Sequence, residues 1–186
     1  MTGPSKAGVL RGKAWVFGDD IDTDRILPGA WLHLTDPAEI ASHCLEGVDP
    51  DFAGSAKPGD FIVAGKNFGC GSSREPATFS IKALGIGAVI ARSFARIFLR
   101  NAIGIGLPVI VAPGVADEVS PGDELEVDLT AGRVSNLTTG VVHQGQEFPE
   151  FMRRIVAEGG IIPYAQRRVT ERAQKRLLDH SREDRT

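Results

Sequence analysis

An α/β fold with layered strands and helices is predicted by three observations. Short apolar runs at 61–65, 88–91 and 107–111 have the unbroken hydrophobicity of strands buried on both faces. Amphipathic helical segments separate them, giving a strand–helix–strand–helix–strand order. After about residue 120 the texture changes to alternating apolar and acidic residues around an Ala131-Gly132 turn, which reads as an antiparallel hairpin. Parallel and antiparallel strands together imply mixed sheets.

The elements follow in order. Lys13 to Phe17 is a short β-prone run, followed by an acidic loop from Gly18 that closes at Pro28-Gly29. Pro37 suits the first position of a helix with Asp36 as N-cap, and Ile40, Ala41, Cys44 and Leu45 share its apolar face, with Gly47 as its end. Phe61 to Gly65 is a buried strand leading into the turn Gly69-Cys70-Gly71, and a helix runs from Pro76 to about Leu84. Ala88 to Ala91 is a strand, Ala95 to Ile103 a helix ended by Gly104, and Leu107 to Val111 a strand. Asp123 to Leu129 and Arg133 to Leu137 form the hairpin, and Pro149 to about Ala157 is a helix stopped by Gly159-Gly160. The stretch from Arg167 to Arg185 is charged with weak helical spacing, so residues 169–186 are expected to form a surface helix or tail appended to a domain of residues 1–168.

Composition narrows the function. The chain has 186 residues, 42% hydrophobic and 24% charged, which suits one soluble domain with a real core. A net charge of −3 argues against nucleic-acid and membrane-surface partners, which need a basic face. No run approaches the roughly 18 apolar residues of a membrane span, and no apolar leader follows Met1 to Gly8. The two cysteines, Cys44 and Cys70, fit reduced thiols in a cytoplasmic protein. The histidines His33, His43, His143 and His180 are scattered, without metal-ligand spacing, and two cysteines cannot hold an iron–sulfur cluster, so no metal is expected on this chain.

The segment Gly69 to Pro76, Gly-Cys-Gly-Ser-Ser-Arg-Glu-Pro, is the strongest candidate site. Glycines let backbone N–H groups turn inward, and a helix start adds partial positive charge, which together make an anion site. The spacing is wrong for a Walker loop, and a dinucleotide fingerprint lacks its third glycine where Arg74 stands. An NADP module remains open on Arg92, but a carboxylate suits Ser-Ser-Arg better, because Arg74 offers a bidentate fork. The acidic loop of Asp19, Asp20, Asp22 and Asp24 is either a solvated turn or a source of one orienting carboxylate, Asp24. Arg96 and Arg100 read as solvated or capping residues, with Arg96 the one carried as facing the anion.

Three ordered motifs resemble a known family. They are Asp20-x-Asp22-Thr23-Asp24-x-Ile26-x-Pro28, Gly65-Lys66-Asn67-Phe68-Gly69-Cys70-Gly71-Ser72-Ser73-Arg74-Glu75, and Ser93-Phe94-Ala95-Arg96-Ile97-Phe98-x-Arg100-Asn101. Together they look like the small subunits of 3-isopropylmalate dehydratases, the swivel domain of the aconitase superfamily. The resemblance covers about Lys13 to Tyr164. It implies an aconitase-type swivelling domain with β/β/α layers, active with a separate large subunit that carries a [4Fe–4S] cluster, in a heterodimer or heterotetramer. The implied reaction is reversible dehydration of a small branched hydroxy-dicarboxylate in leucine biosynthesis. Ser72 maps to the family's alkoxide base, Arg74 to a carboxylate clamp, Ser73 and Gly71 to donors beside it, and Asp24 to an orienting acid.

Two departures from the family pattern matter. Aconitases carry an arginine in the loop after the first motif, whereas Trp31-Leu32-His33-Leu34-Thr35 has none, which favours a substrate with an apolar branch. Trp31 and His33 are therefore expected at the substrate, His33 as an imidazolium that can still meet a carboxylate. Pro76 replaces the His or Gln common in relatives and suits the first turn of a helix. Citramalate, dimethylmalate and homoaconitate are the alternative substrates, and a non-catalytic anion-binding module is the alternative outside enzymology.

Overall fold

A computed structural model describes residues 8–71 and 75–183. Its centre is strand β1, Val9–Val16, because this one strand serves two ladders. Its first half pairs antiparallel with β5, Glu124–Asp128, from Val9 opposite Asp128 to Lys13 opposite Glu124. Its second half pairs in parallel with β2, Phe61–Ala64, from Ala14 opposite Phe61 to Val16 opposite Val63. The sheet continues from β2 through β3, Ala88–Ala91, to β4, Val109–Val111, all parallel. On the other side β5 pairs with β6, Arg133–Asn136, and β6 with β7, Val142–Gln144, all antiparallel. The result is one seven-stranded mixed sheet in the order β4-β3-β2-β1-β5-β6-β7.

Burial follows the two-residue period of the strands. Phe61, Val63, Ala88, Ile90 and Ile110 pack with Leu125, Val127 and Val134 of the antiparallel wing, so the two wings close on one core. Ile62, Ala64, Val89, Ala91 and Val109 point the other way, into a second core against the helices. That helical layer includes α4, Glu75–Ala83, through Ala77 and Ile81, and α5, Arg96–Ile105, through Phe98, Ala102 and Ile103. Helix α7, Glu150–Ala157, adds Ile155. These are the β, β and α layers expected from the motifs.

The handover on β1 needs two local devices. Gly12 lies where the chain before β2 crosses it, and a Cβ there would sit 2.2 Å from the Gly59 carbonyl oxygen. Asp60 lies beside it and is buried. Its carboxylate accepts hydrogen bonds from Lys13 N–H at 3.0 Å, Trp15 Nε1–H at 3.1 Å and Lys57 N–H at 2.9 Å. Burial opposes ionisation of Asp60, but these three donors and the Lys13 charge outweigh it and hold its carboxyl below the ordinary range.

Several expected boundaries move. Helix α1, Thr23–Ile26, a 3-10 turn at Gly29–Trp31, α3, Phe52–Ser55, and α6, Val115–Glu118, are short elements within expected loops. Helix α2, Pro37–Ser42, has Asp36 as its N-cap, with its carboxylate accepting from Ala38 and Glu39 N–H. It stops well before Gly47. Leu45 turns left-handed, at φ +58°, and its N–H leaves the helical pattern for the Ile26 carbonyl at 2.7 Å. Helix α5 runs through Gly104 and ends at Gly106, which holds φ +76°. Helix α8, Ile161–Glu183, starts earlier than expected and runs unbroken past residue 168, with Tyr164 against the core and Arg167 paired to Glu158 and Glu171. Among the described residues no helix is long and apolar enough to cross a membrane.

Asp60→Asn is expected to destabilise the fold by about 1–3 kcal/mol at pH 7, since a buried donor loses its acceptor. Because the folded carboxyl ionises more readily than the unfolded one, its contribution is present above the unfolded value near about pH 4 and is lost as pH falls through the lower folded value. Urea denaturation of both proteins at pH 7 and at about pH 3 checks this: the gap must shrink at the lower pH, and an equal gap would remove Asp60 from the account.

Candidate functional site

Parallel strands deliver their following loops to the same edge of a sheet, the edge where open α/β sheets bind ligands. Here β1, β2 and β3 lead into the three motif loops: residues 18–24, 65–71 and 92–95. Backbone bonds stitch these loops together. Gly69 N–H donates to Ile21 C=O at 2.7 Å and Thr23 N–H to Cys70 C=O at 2.9 Å, so Asp22 and Cys70 form a parallel bridge. Phe68 N–H donates to Ser93 C=O at 3.0 Å and Ala95 N–H to Phe68 C=O at 2.9 Å, a second bridge between Phe68 and Phe94. Below them Phe68, Phe94 and Phe98 form a ring cluster, with Phe68 edge-on to Phe98 at 5.2 Å. Gly69, at φ +76°, passes so close to this cluster that a Cβ would sit 2.2 Å from the Phe98 ring.

This edge carries both signs of charge. Helices α4 and α5 both begin here, and their first N–H groups bring partial positive charge. Asp22 caps α1 by accepting from Arg25 N–H at 2.8 Å. Asp19 accepts from Lys66 N–H at 2.6 Å, and Gly65 leaves the room for this, since a Cβ there would sit 1.9 Å from the Asp19 carboxylate. Burial first, then the carboxylates of Asp22 and Asp20, push the Cys70 thiol above its ordinary value, so Cys70 is not a poised nucleophile. Burial pushes Cys44, deep in the helical core, to about 12.

The structure brings some nominated residues together and separates others. Asp24 is exposed in the first turn of α1, two residues beyond the Asp22–Cys70 bridge. Gly71 holds φ +93°, and a Cβ there would be 3.3 Å from Thr23 Oγ1, so the turn lies directly against the start of α1. Arg96 is exposed at the first position of α5, next to the Ala95–Phe68 bond. Ser72, Ser73 and Arg74 lie outside the described residues, between Gly71 and α4. Trp31 is turned toward α2, stacked on His43 at 3.7 Å with the rings 13° apart, while His33 is exposed on the same loop. His43 Nδ1 in turn meets Glu46 at 2.6 Å. Arg92 pairs with Asp117 of α6, which occupies the guanidinium a nucleotide phosphate would need.

Three contributors escape sequence reasoning. Asn67 donates through Nδ2–H to Asp20 Oδ1 at 2.8 Å, Ser93 Oγ accepts from Asn67 N–H at 2.9 Å, and His43 backs Trp31. Only the asparagine leaves a signal, as one of the residue types that tolerate left-handed backbone. Among the described residues no group of three or more His, Cys, Asp and Glu side chains is arranged to hold a metal ion.

Comparison with known proteins bears on the fold and the family. The aconitase C-terminal domain family matches residues 41–113. The isopropylmalate/citramalate isomerase small subunit of Methanocaldococcus jannaschii is 53% identical over 163 residues, covering 88% of this chain and 97% of that protein. 3-Isopropylmalate dehydratase small subunit 1 of Methanopyrus kandleri is 55% identical over 159 residues, covering 86% of this chain and 94% of that protein. A crystal structure of 3-isopropylmalate dehydratase from Methanocaldococcus jannaschii matches with a TM-score of 0.86 at 47% identity, over 90% of this chain and 99% of that one. The layered α/β swivel fold that the motifs imply is the fold found. On this likeness, over nearly the full length of its relatives, the chain belongs to the family of 3-isopropylmalate dehydratase small subunits.

Proposed function

We propose that this chain is the small subunit of an isopropylmalate-type hydro-lyase, which interconverts 2- and 3-isopropylmalate by dehydration and rehydration, in complex with a large subunit. The observation that carries this is the convergence of the three motif loops at one edge of the parallel sheet, in a chain whose relatives are named as small subunits of that enzyme. The second reading is citramalate, because the 53% identical relative is named an isopropylmalate/citramalate isomerase small subunit.

A [4Fe–4S] cluster on the large subunit would act as a Lewis acid on the departing hydroxyl. The donors of this chain do not suit such a cluster. Cys44 is sealed in the core with its thiol at about 12, and Cys70 is held protonated beside two carboxylates. What this chain supplies is the other half of the site. Ser72 takes the proton from the carbon next to a substrate carboxylate, and the hydroxyl leaves from the neighbouring carbon. Return of the proton and the hydroxyl to exchanged carbons gives the isomer. A serine hydroxyl is a poor base in water, so the role needs positive potential from Arg74, backbone N–H groups and the start of α4.

Arg74 clamps a carboxylate through its fork, with Gly71 and Ser73 as neutral donors beside it and Arg96 as a second cation from α5. Asp24 orients this network from α1. Trp31 and His33 stand on the loop that meets the substrate's branch, where no arginine is present to bind a third carboxylate. The closed assembly is a heterodimer or heterotetramer in the cytoplasm.

The test is an anaerobic assay of this chain with a cluster-loaded large subunit, offered isopropylmalate, citramalate, homoaconitate and citrate in parallel. Activity is expected only in the mixture and is expected to be highest on isopropylmalate. A stable complex inactive on all four acids would overturn the reading. Ser72→Ala is expected to leave assembly intact while kcat drops by about 10³-fold or more, as for removal of a proton-transfer group. Near-native turnover in that variant would remove Ser72 from the chemistry. Arg74→Lys keeps the charge and loses the fork, so initial-rate kinetics are expected to show chiefly a raised KM, and unchanged KM would count against the clamp.

A further inference from the structure

Asn67 is the residue in which the three motif loops meet. Its backbone N–H donates to Ser93 Oγ at 2.9 Å in the third loop, and its carboxamide donates to Asp20 Oδ1 at 2.8 Å in the first. Asp20 N–H returns a bond to Lys66 C=O at 2.8 Å. Both partners hold left-handed backbone, at φ +54° for Asp20 and +58° for Asn67, a conformation that Asp and Asn adopt more readily than other non-glycine residues.

Both side chains are exposed, so packing does not impose this geometry, and water competes for the bond between them. An exposed bond that adds little stability, placed where the first two motif loops meet, points to positioning of those loops and not to folding. The ladder they govern is short: Gly69 N–H to Ile21 C=O and Thr23 N–H to Cys70 C=O. A shift in this pairing moves the Gly71 backbone relative to the start of α1, against which it lies. Asp24 and Gly71 are the residues that follow.

We propose that Asn67 is a positioning residue for the reaction described above: its bond to Asp20 holds the 68–71 turn in register with the 20–24 loop, so that Asp24 and Gly71 face one substrate. The inference rests on that functional reading. Among the described residues, the charged chain neighbours of the pair are Asp19 and Asp22 on the first loop and Lys66 on the second, and the third loop meets Asn67 through the neutral Ser93.

Three variants test it in the assembled enzyme. Asn67→Gly keeps the left-handed backbone and removes only the tether. Asn67→Asp sets a second carboxylate against Asp20. The double variant Asp20→Asn with Asn67→Asp restores the pair with donor and acceptor exchanged. Asn67→Gly is expected to lower kcat by about tenfold or more, with KM nearly unchanged and thermal stability and assembly as in the wild type. Asn67→Asp is expected to be impaired at pH 8 and to gain on the wild type as pH falls toward 5, where one carboxyl takes up a proton. The double variant is expected to recover most of kcat at pH 8.

Amide hydrogen exchange at Gly69 and Thr23, measured on this chain without substrate, is expected to speed up in Asn67→Gly and return to the wild-type rate in the double variant. Unchanged kcat and exchange in Asn67→Gly would overturn the proposal. So would failure of the double variant to recover, or loss of folding or assembly, which would make the residue merely structural. A wild-type complex inactive on every acid would refute the functional reading instead, while the exchange rates still decide the tether.

Discussion

The structure depends on one strand pairing in two directions. β1 is antiparallel to β5 along its first half and parallel to β2 along its second, and the change falls between Lys13 and Ala14. Everything after it inherits this geometry. The parallel half sets the direction of β2, β3 and β4, and so sends the three motif loops to the same edge. The antiparallel half carries the β5–β6–β7 wing, which covers one face of the parallel strands and leaves the other for the helices. Asp60 and Gly12 sit at that junction, one tying β1 to the chain before β2 through three donors, the other admitting that chain at backbone contact distance.

The site is assembled on the same logic of close approach. Gly65 makes room for the Asp19 carboxylate and Gly69 for the Phe98 ring, so the acidic loop, the Gly-rich turn and the start of α5 lie closer together than side chains would permit. Four carboxylates beside two helix N-termini give a local field with both signs. Burial first, then Asp22 and Asp20, raise the Cys70 thiol above its ordinary value. Three carboxylates of this loop are engaged locally: Asp19 on Lys66, Asp20 on Asn67, Asp22 on Arg25. Much of this acidic loop is therefore a framework that braces the turn, and Asp24 stands exposed in the first turn of α1.

Legibility in the sequence tracked how local each signal was. Continuous apolar runs located β2, β3 and β4, and the Asp36-Pro37 cap located the start of α2, because burial on both faces and capping leave marks within a few residues. The ends of helices were less legible. Gly104 was expected to end α5, but the helix runs through it to Gly106, whose left-handed backbone stops it. Gly47 was bypassed because Leu45 found a better acceptor on Ile26, a bond between residues far apart in sequence. The true length of β1 was hidden for a similar reason: Val9 to Gly12 become strand through a partner more than a hundred residues away.

The sequence by itself determined the periodicities, the caps and the three ordered motifs, and through the motifs the family. These are properties of residue type and spacing, and they survive without coordinates. Only the tertiary structure decided how the motifs are joined. The Asn67–Asp20 tether, the role of Ser93, the stacking of Trp31 on His43 and the pairing of Arg92 with Asp117 each link residues from separate elements. A single polar side chain has many possible partners along a chain, and which one it meets is set by how the strands align, not by the residues on either side of it.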